Sequence, residues 1–279
     1  YQVGGVKVPH QPLNPYTHFF MTQSSDTSAC YPSLNNRSVF ITGGGTGIGE
    51  VMVERFCAQG ARVCFVDVNV DKSQALVERI AQAGKGQATF IECDLRDLKA
   101  LKGAISEAGK LHGDISVLIN NAADDTRHEF EEVDEEYWND RINVNLRPSF
   151  FAAQAVVEQM RRCGGGSIVN MGSVSWRQKQ TCMPVYTTAK AAIDGLTRTL
   201  AAKLGPEHIR VNTLVPGWVM TERQMTRWAG PEIVQEVQQA QCIHETLLPI
   251  DIANAALFLA ADDSKMMTAQ TLIIDAGWV

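Results

Sequence analysis

From residue 38 to the end, short blocks of near-continuous Val, Ile, Leu and Phe alternate with stretches whose apolar residues recur every three or four positions. Blocks of the first kind read as strands buried on both faces. They fall at 38–42, 62–67, 88–93, 115–120, 167–171, 210–215 and 271–275. The stretches between them carry helical stripes. Ile48, Val51, Met52 and Phe56 form one, Leu76, Val77, Ile80 and Ala83 a second, and Ala189, Ile193, Leu196, Leu200 and Leu204 another. Strands alternating with helices predict an α/β fold. It should be a doubly wound, seven-stranded parallel sheet with right-handed crossovers and helices on both faces.

Residues 1–37 show no such period. Pro9, Pro12, Pro15 and Pro32 stand there among Ser, Thr, Gln and Asn, which reads as an extended N-terminal arm or loose tail. Met21 is a candidate natural start, with 1–20 an added upstream segment. A length of 279 residues leaves room for two domains, but no composition break or internal repeat divides residues 38–279. One domain is expected there.

Composition narrows the function classes. Hydrophobic residues at 45% and charged residues at 20% exclude disordered, collagenous and coiled-coil chains. The longest apolar runs, such as 255–261, are too short to cross a bilayer as a helix. A net charge of −6 with no dense Lys/Arg run argues against nucleic acid and anionic membranes as partners. The cysteine count is odd, seven, with no C-x-x-C pair and no Cys/His cluster. Reduced, mostly buried thiols in a cytoplasmic protein are expected, and no metal site. No charged start followed by an apolar block opens the chain, so no secretory leader is expected.

The first strand runs directly into Thr42-Gly43-Gly44-Gly45-Thr46-Gly47-Ile48-Gly49, and a helix follows. Gly43 lets the chain turn off the strand, while Gly47 and Gly49 let backbone approach a pyrophosphate and let the helix pack on the sheet. The helix N-terminus then offers N–H groups and a positive dipole to phosphate. Glycine clusters also serve as plain flexible loops. The strand–turn–helix context is what marks a nucleotide site and a Rossmann-type domain. Asp67 closes the second strand, eighteen residues after Gly49. A carboxylate there can accept bonds from both ribose hydroxyls of an adenosine and repels a 2′-phosphate. Neither Thr46 nor Val68 is a cation that would hold such a phosphate, so NAD is favoured over NADP. The competing reading is an Asp that caps the turn before the next helix.

Tyr186 and Lys190 stand four residues apart at the start of a helix and share a face. An ammonium beside a phenol favours the phenolate, and an oxidised nicotinamide adds positive charge. The tyrosine should therefore fall towards working pH, as a general base requires. Ser173 follows the fifth strand, thirteen residues before Tyr186. It sits where open α/β sheets bind ligands and offers a hydroxyl to hold a substrate oxygen. Singly, each has a plain alternative: a solvated Tyr–Lys pair, or a serine in a turn.

The glycine loop, Asp67, Asn120-Asn121-Ala122-Ala123, Ser173 and Tyr186-x-x-x-Lys190 stand in the order of the short-chain dehydrogenase/reductase family, which the chain resembles from residue 38 to the end. The resemblance implies Tyr186 as catalytic acid/base and Lys190 as the group that lowers its pKa and binds the nicotinamide ribose. It implies Ser173 as the substrate-orienting hydroxyl and Asn145, rather than nearby Asn143, as support for a proton relay to the lysine. It implies cofactor contacts from Gly43, Gly45, Thr46, Gly47, Ile48 and Gly49, and from Asp67, Asp94, Leu95 and Asn121. Pro216 and Gly217 would also contact the cofactor, with the Val219 backbone and the Thr221 hydroxyl holding its carboxamide. It implies a homotetramer, with the helical tracts 134–162 and 185–204 as interfaces. One departure is Ala123, where the family usually has glycine; its methyl group is expected to narrow the site without abolishing binding.

Within the family, the stretches 122–128, 136–141, 172–176, 216–224 and 275–279 resemble aldose 1-dehydrogenases such as bacterial D-xylose dehydrogenases. A polyhydroxylated small molecule is the substrate this implies. Trp176 and Trp218 follow the fifth and sixth strands, where an indole face stacks on a sugar ring or forms a plain wall or subunit contact. Asp125, Arg127 and Arg223 are candidate hydroxyl partners, as are His128, Arg177, Gln178 and Gln224. His128 reads foremost as a loop or surface histidine. The polar run 177–183 keeps a sugar acid open as substrate. Residues 220–246 are expected to form a lid that sets specificity, against a plain pair of surface helices.

The leading expectation is NAD-dependent oxidation of an aldose to a lactone. The alternative is a short-chain dehydrogenase acting on a sugar acid, or on another secondary alcohol or ketone as an acyl, steroid or keto-acid reductase. A non-catalytic NAD-binding sensor would show a broken set of catalytic residues, and Asn145, Ser173, Tyr186 and Lys190 are all present.

Overall fold

The computed structural model describes residues 29–84 and 86–279. Residues 31–279 form one compact unit. Its sheet holds seven parallel strands in the order β3-β2-β1-β4-β5-β6-β7. The strands are β1 (Ser38–Thr42), β2 (Arg62–Asp67), β3 (Gln87–Glu92), β4 (Val117–Asn120), β5 (Gly166–Met171), β6 (Ile209–Pro216) and β7 (Thr271–Ile274). β1 lies between β2 and β4, with Thr42 opposite both Val66 and Asn120, and all five of its residues are buried. Strand order reverses there: β2 and β3 extend to one side of β1, β4 onward to the other. The loops leaving β1 and β4 therefore diverge and open a cleft at the carboxyl ends of the strands.

Between the strands run α1 (Gly47–Ala58), α2 (Val70–Ala83), α3 (Leu98–His112), α4 (Glu135–Asn145), α5 (Arg147–Arg162) and α6 (Pro184–Leu204). After β6 come α7 (Glu222–Arg227), α8 (Pro231–Ala240) and α9 (Pro249–Ala260). Two cores cover the two faces of the sheet. Met52 and Phe56 of α1, Leu76 and Ile80 of α2, and Ile252 and Ala256 of α9 pack with Ile41 and Phe65. Leu101 and Ile105 of α3, Val156 and Met160 of α5, and Ala201 of α6 pack with Phe40 and Leu118.

Several boundaries differ from the pattern in the sequence. Ile115 gives its N–H to Gln159 Oε1 at 2.9 Å, so β4 begins at Val117. β7 stops at Ile274 because the Asp275 carboxylate takes the N–H groups of Gly277 and Val279. The helical tract 134–162 breaks at Leu146, just before Pro148 in the first turn of α5. Most of the arm expected over 1–37 lies outside the described residues. Its last part is no loose tail: Leu34 is fully buried, and Asn36 N–H bonds Gly60 O at 2.8 Å.

All seven cysteines are free, but only Cys57, Cys64 and Cys93 are buried. Cys30, Cys163, Cys182 and Cys242 are exposed, which corrects the expectation of mostly buried thiols. Burial pushes the Cys57 and Cys64 thiols up to about 12. Among the described residues, no helix is long and apolar enough to cross a membrane, and no group of His, Cys, Asp and Glu is placed to hold a metal ion.

Candidate active site

A cleft of about 650 Å³ lies over the ends of β1, β4, β5 and β6. Gly43, Thr46 and Ile48 line it, with Asp67, Asp94, Leu95, Asn121, Ser173, Tyr186 and Lys190. So do Pro216, Gly217, Trp218, Val219, Thr221, Arg223, Asp125 and Arg127.

The loop after β1 is shaped by what its glycines leave out. Gly43 has φ +65°, and a Cβ there would lie 2.8 Å from Ala122 Cα. A Cβ at Gly49 would lie 1.9 Å from Gly43 O. At Gly45 it would meet Ser73 Oγ at 2.3 Å and Asp67 at 3.0 Å. Thr46 heads α1 without capping it through its side chain, so the first-turn N–H groups face the cleft with no side-chain acceptor. Asn121 Nδ2 donates to Thr42 O and Gly43 O, which binds the loop to the end of β4. Bare backbone, an uncapped helix start and a carboxylate at the end of β2 together fit a nicotinamide dinucleotide.

Asp67 holds the turn after β2, as its capping reading suggests. Oδ2 accepts the Gly45 N–H at 2.8 Å and Oδ1 the Asn69 N–H at 2.9 Å. Each oxygen retains a further lone pair towards the cleft, beside Val68, which is 64% exposed. Asp94 caps the Arg96 N–H and pairs with its guanidinium. Thr221 caps α7 through Gln224 N–H at 3.3 Å. Ala123 lines the cleft and has no positive φ, so a methyl group is accommodated where the family's glycine is usual.

Tyr186 and Lys190 project from the first turns of α6 into one end of this cleft. Lys190 Nζ lies 5.7 Å from the Tyr186 ring centroid and donates to Met171 O at 2.8 Å. Ser173 lines the same end of the cleft as Tyr186, where its hydroxyl favours the phenolate, and its Oγ accepts the Ser175 N–H at 3.2 Å. Lys190 is 2% exposed, and burial lowers its ammonium to about 8, opposed in part by Asp125. Tyr186 moves the other way from the expectation. Burial, then the Asp125 carboxylate, hold its phenol above the ordinary value. Pairing along a helix face shows the nearby ammonium but not the desolvation, which here is the largest influence on the phenol.

Asn145 ends α4 and is 1% exposed. Its Oδ1 accepts Asp124 N–H at 2.8 Å, and its Nδ2 donates to Asp124 O and Arg141 O. Asn143 is only half-buried, on a separate surface hollow with Glu135 and Glu136.

Residues 220–246 form two helices, α7 and α8, rooted where Met220 N–H bonds Leu247 O at 2.9 Å. The first reaches across the cleft. Arg223 Nη2 pairs with Asp124 at 2.9 Å and Asp125 at 3.3 Å. Gln224 Nε2 donates to Asp125 Oδ2 at 2.6 Å and Gln224 Oε1 accepts from Trp218 Nε1 at 2.8 Å. Arg127 pairs with Asp125 at 2.9 Å and lies over the Trp228 ring, 4.9 Å from its centroid.

Trp176 is a correction. It lies outside the cleft lining, under the Arg177 guanidinium at 4.6 Å, because the 3-10 turn Val174–Trp176 carries it past the mouth. Arg177 and Lys179 also stay out of the lining, while Gln180, Cys182 and Met183 enter it. Trp228, Trp278 and Asp124 line the cleft without having been singled out as site residues. A tryptophan inside the expected lid was the one available signal for Trp228; for Trp278 and Asp124 it was their place in stretches resembling aldose 1-dehydrogenases.

The family model described as Enoyl-(Acyl carrier protein) reductase matches residues 43–279. The chain is 48% identical over 251 residues to the probable galactose dehydrogenase GalD of Rhizobium meliloti, covering 90% of this chain and 98% of that one. It is 44% identical over 252 residues to the D-xylose 1-dehydrogenase of Caulobacter vibrioides, covering 90% and 99%. Among solved structures, a short-chain type dehydrogenase/reductase from Mycobacterium ulcerans superposes with a TM-score of 0.83 at 26% identity, covering 88% of this chain and 90% of that one.

Proposed function

Because this chain belongs to the short-chain dehydrogenase/reductase family, we propose that it oxidises a neutral aldose at the anomeric carbon to a lactone, with NAD⁺ as oxidant. The observation that carries this reading is the company of Tyr186. Together with Ser173 and close to Lys190, it shares one cleft with the glycine loop and with a mouth of indole and paired charges. Sugar substrates are named for the Rhizobium and Caulobacter relatives.

Bound NAD⁺ supplies the acceptor for the hydride that leaves the anomeric carbon, and brings a positive charge close to the phenol. The remaining work falls to the chain. Tyr186, as phenolate, takes the proton of the anomeric hydroxyl. Ser173 orients that hydroxyl by hydrogen bonding. Lys190 stabilises the phenolate and binds the ribose, and Asn145 supports proton return to the lysine. Loss of hydride from carbon and proton from oxygen leaves the carbonyl of the lactone.

Gly43, Gly45, Thr46, Gly47, Ile48 and Gly49 would hold the pyrophosphate, Asp67 the adenosine ribose, and Asp94, Leu95 and Asn121 the adenine side. Pro216 and Gly217 would also contact the cofactor, with the Val219 backbone and the Thr221 hydroxyl holding its carboxamide. The Asp67 carboxylate, with exposed Val68 beside it and no cation at Thr46, supports NAD over NADP.

Charge supports a neutral substrate over a sugar acid. Arg127 and Arg223 at the mouth are both paired with Asp125, so an incoming carboxylate would have to displace an existing partner. Trp218 and Trp228 supply faces for the C–H side of a sugar. Exposed Trp138 on α4 and Phe150 on α5 supply apolar surface for self-association as a homotetramer.

The test is a turnover screen of aldoses and sugar acids with NAD⁺ and NADP⁺ in parallel. NADH should form with at least one neutral pentose or hexose. A full aldose panel without NADH, from protein that binds NAD tightly, rejects the proposal.

A further inference from the structure

His128, a candidate hydroxyl partner by sequence, stays out of the cleft lining, yet it touches the helix that carries the tyrosine. Its Nε2 accepts the Val185 backbone N–H at 3.3 Å, one residue before Tyr186. Its Nδ1 lies 3.0 Å from Thr126 O and 2.9 Å from the Tyr137 hydroxyl. A backbone N–H can only donate and a carbonyl can only accept. These two partners therefore require the neutral ring with its proton on Nδ1. The backbone adds a further tie, His128 N–H to Cys182 O at 2.8 Å. The Tyr137 ring packs on the imidazole with centroids 4.8 Å apart, and the Arg141 guanidinium lies 5.3 Å from the Tyr137 centroid on its own helix, α4.

The start of α6 lacks other means of closure. Met183, at its N-cap position, makes no side-chain cap, and Pro184 has no N–H to offer. The Val185 N–H is the first donor of the helix, and the group that takes it comes from a residue 57 positions away in sequence.

We infer that His128 is a positioning residue for Tyr186: as the Nδ1–H tautomer it caps α6 from the loop after β4 and sets where the phenol stands. This rests on the reading of Tyr186 as the proton acceptor. It adds that the acceptor's place is held by an imidazole that never touches substrate. The loop carrying His128 also carries Asp124, whose backbone grips Asn145. One short segment thus orders both ends of the proposed proton path.

Two variants separate a cap from plain packing. His128→Leu fills much of the space without an acceptor. His128→Gln places a carbonyl oxygen where Nε2 stood. In His128→Leu, kcat should fall by about ten- to a hundredfold, since misplacement of a reacting group by about 1 Å costs rate on that order. NAD affinity, read by fluorescence titration, should stay the same. His128→Gln should recover most of kcat. Independently of turnover, the imidazole ¹⁵N spectrum of the protein alone should report the Nδ1–H tautomer. The Val185 amide should exchange faster in His128→Leu than in wild type or His128→Gln. An Nε2–H tautomer, a glutamine variant as impaired as the leucine one, or a leucine variant with wild-type kcat and Val185 exchange would overturn the assignment. A cap found real by tautomer and exchange in a protein inactive on every sugar would count against the proposed reaction alone.

Discussion

Arg223 Nη2 lies 2.9 Å from Asp124 Oδ1, and this pair joins α7 to the loop that grips Asn145. Asp124 is held hard in its charged form. Hydrogen bonds from Thr126 and Arg141 outweigh its burial and depress its carboxyl far below the usual range. α7 thus rests on a fixed charge whose own backbone orients a proposed catalytic residue.

Arg223→Gln should therefore loosen α7 over the cleft more than it harms the chemistry. Arg223 is 39% exposed at its side chain, so solvent screening limits the pair to about 1 kcal/mol. We expect KM for sugar to rise up to about fivefold with kcat nearly unchanged. Added salt should raise KM in wild type and leave the variant flat. A fall in kcat with KM constant would show that the pair does not act on substrate capture.

Asp125→Asn changes the pH dependence of oxidation. Its carboxylate is second only to burial in raising the Tyr186 phenol. Removing the charge lowers the phenol's pKa, so the phenolate forms at lower pH. The rising limb of kcat/KM should shift towards acid. An unmoved limb, or one displaced towards alkali, contradicts the electrostatic role.

Lys190→Met tests the buried ammonium through stability. Lys190 titrates at about 8 in the fold against an ordinary 10.5. Between these values the unfolded chain holds more protons than the folded one, so this residue's contribution to stability improves as pH rises through the window. Below it, the fold bears the buried charge in full. The melting temperature of Lys190→Met relative to wild type should be highest below pH 8 and decline towards pH 10, at most by the equivalent of about 1.4 kcal/mol per pH unit. Parallel melting curves across that range would mean the lysine is not perturbed.

Gly49→Ala should disable the nucleotide cradle. Its new Cβ would fall 1.9 Å from Gly43 O and 2.7 Å from Asn121 Nδ2, so the loop must move. Overpacking of this kind costs about 1–3 kcal/mol. Calorimetry should record weaker NAD binding together with a lower melting temperature. Unchanged NAD affinity would place the cofactor elsewhere.

Tyr186→Phe keeps the ring and removes the hydroxyl. Loss of a general base typically costs about 10²–10⁴ in rate. NADH formation should fall by that range while NAD still binds. Turnover that survives would take the proton acceptor role away from Tyr186.

Much of the site was legible because its signals are local. Asp67 closes β2 because the strand ends where its apolar run ends. Tyr186 and Lys190 share a helix face because four residues make about one turn. What depends on the route of a loop was not legible. Trp176 and Trp218 both follow strands that end at the cleft, yet a 3-10 turn takes Trp176 out of it while Trp218 stays bonded to Gln224. The segment 31–37 looked unstructured because its order comes from Gly60 and a buried Leu34, not from any period of its own.

The sequence by itself determined the strand–helix alternation, the glycine turn after β1 and the spacing of tyrosine and lysine, since each depends on residues within a turn or a strand of one another. Only the tertiary structure decided that Asp125 raises the phenol, that Arg223 latches onto Asp124, and that His128 closes α6. Coulomb forces, desolvation and hydrogen bonds act over a few ångströms in space. The fold alone brings residues 57 to 99 positions apart within that reach.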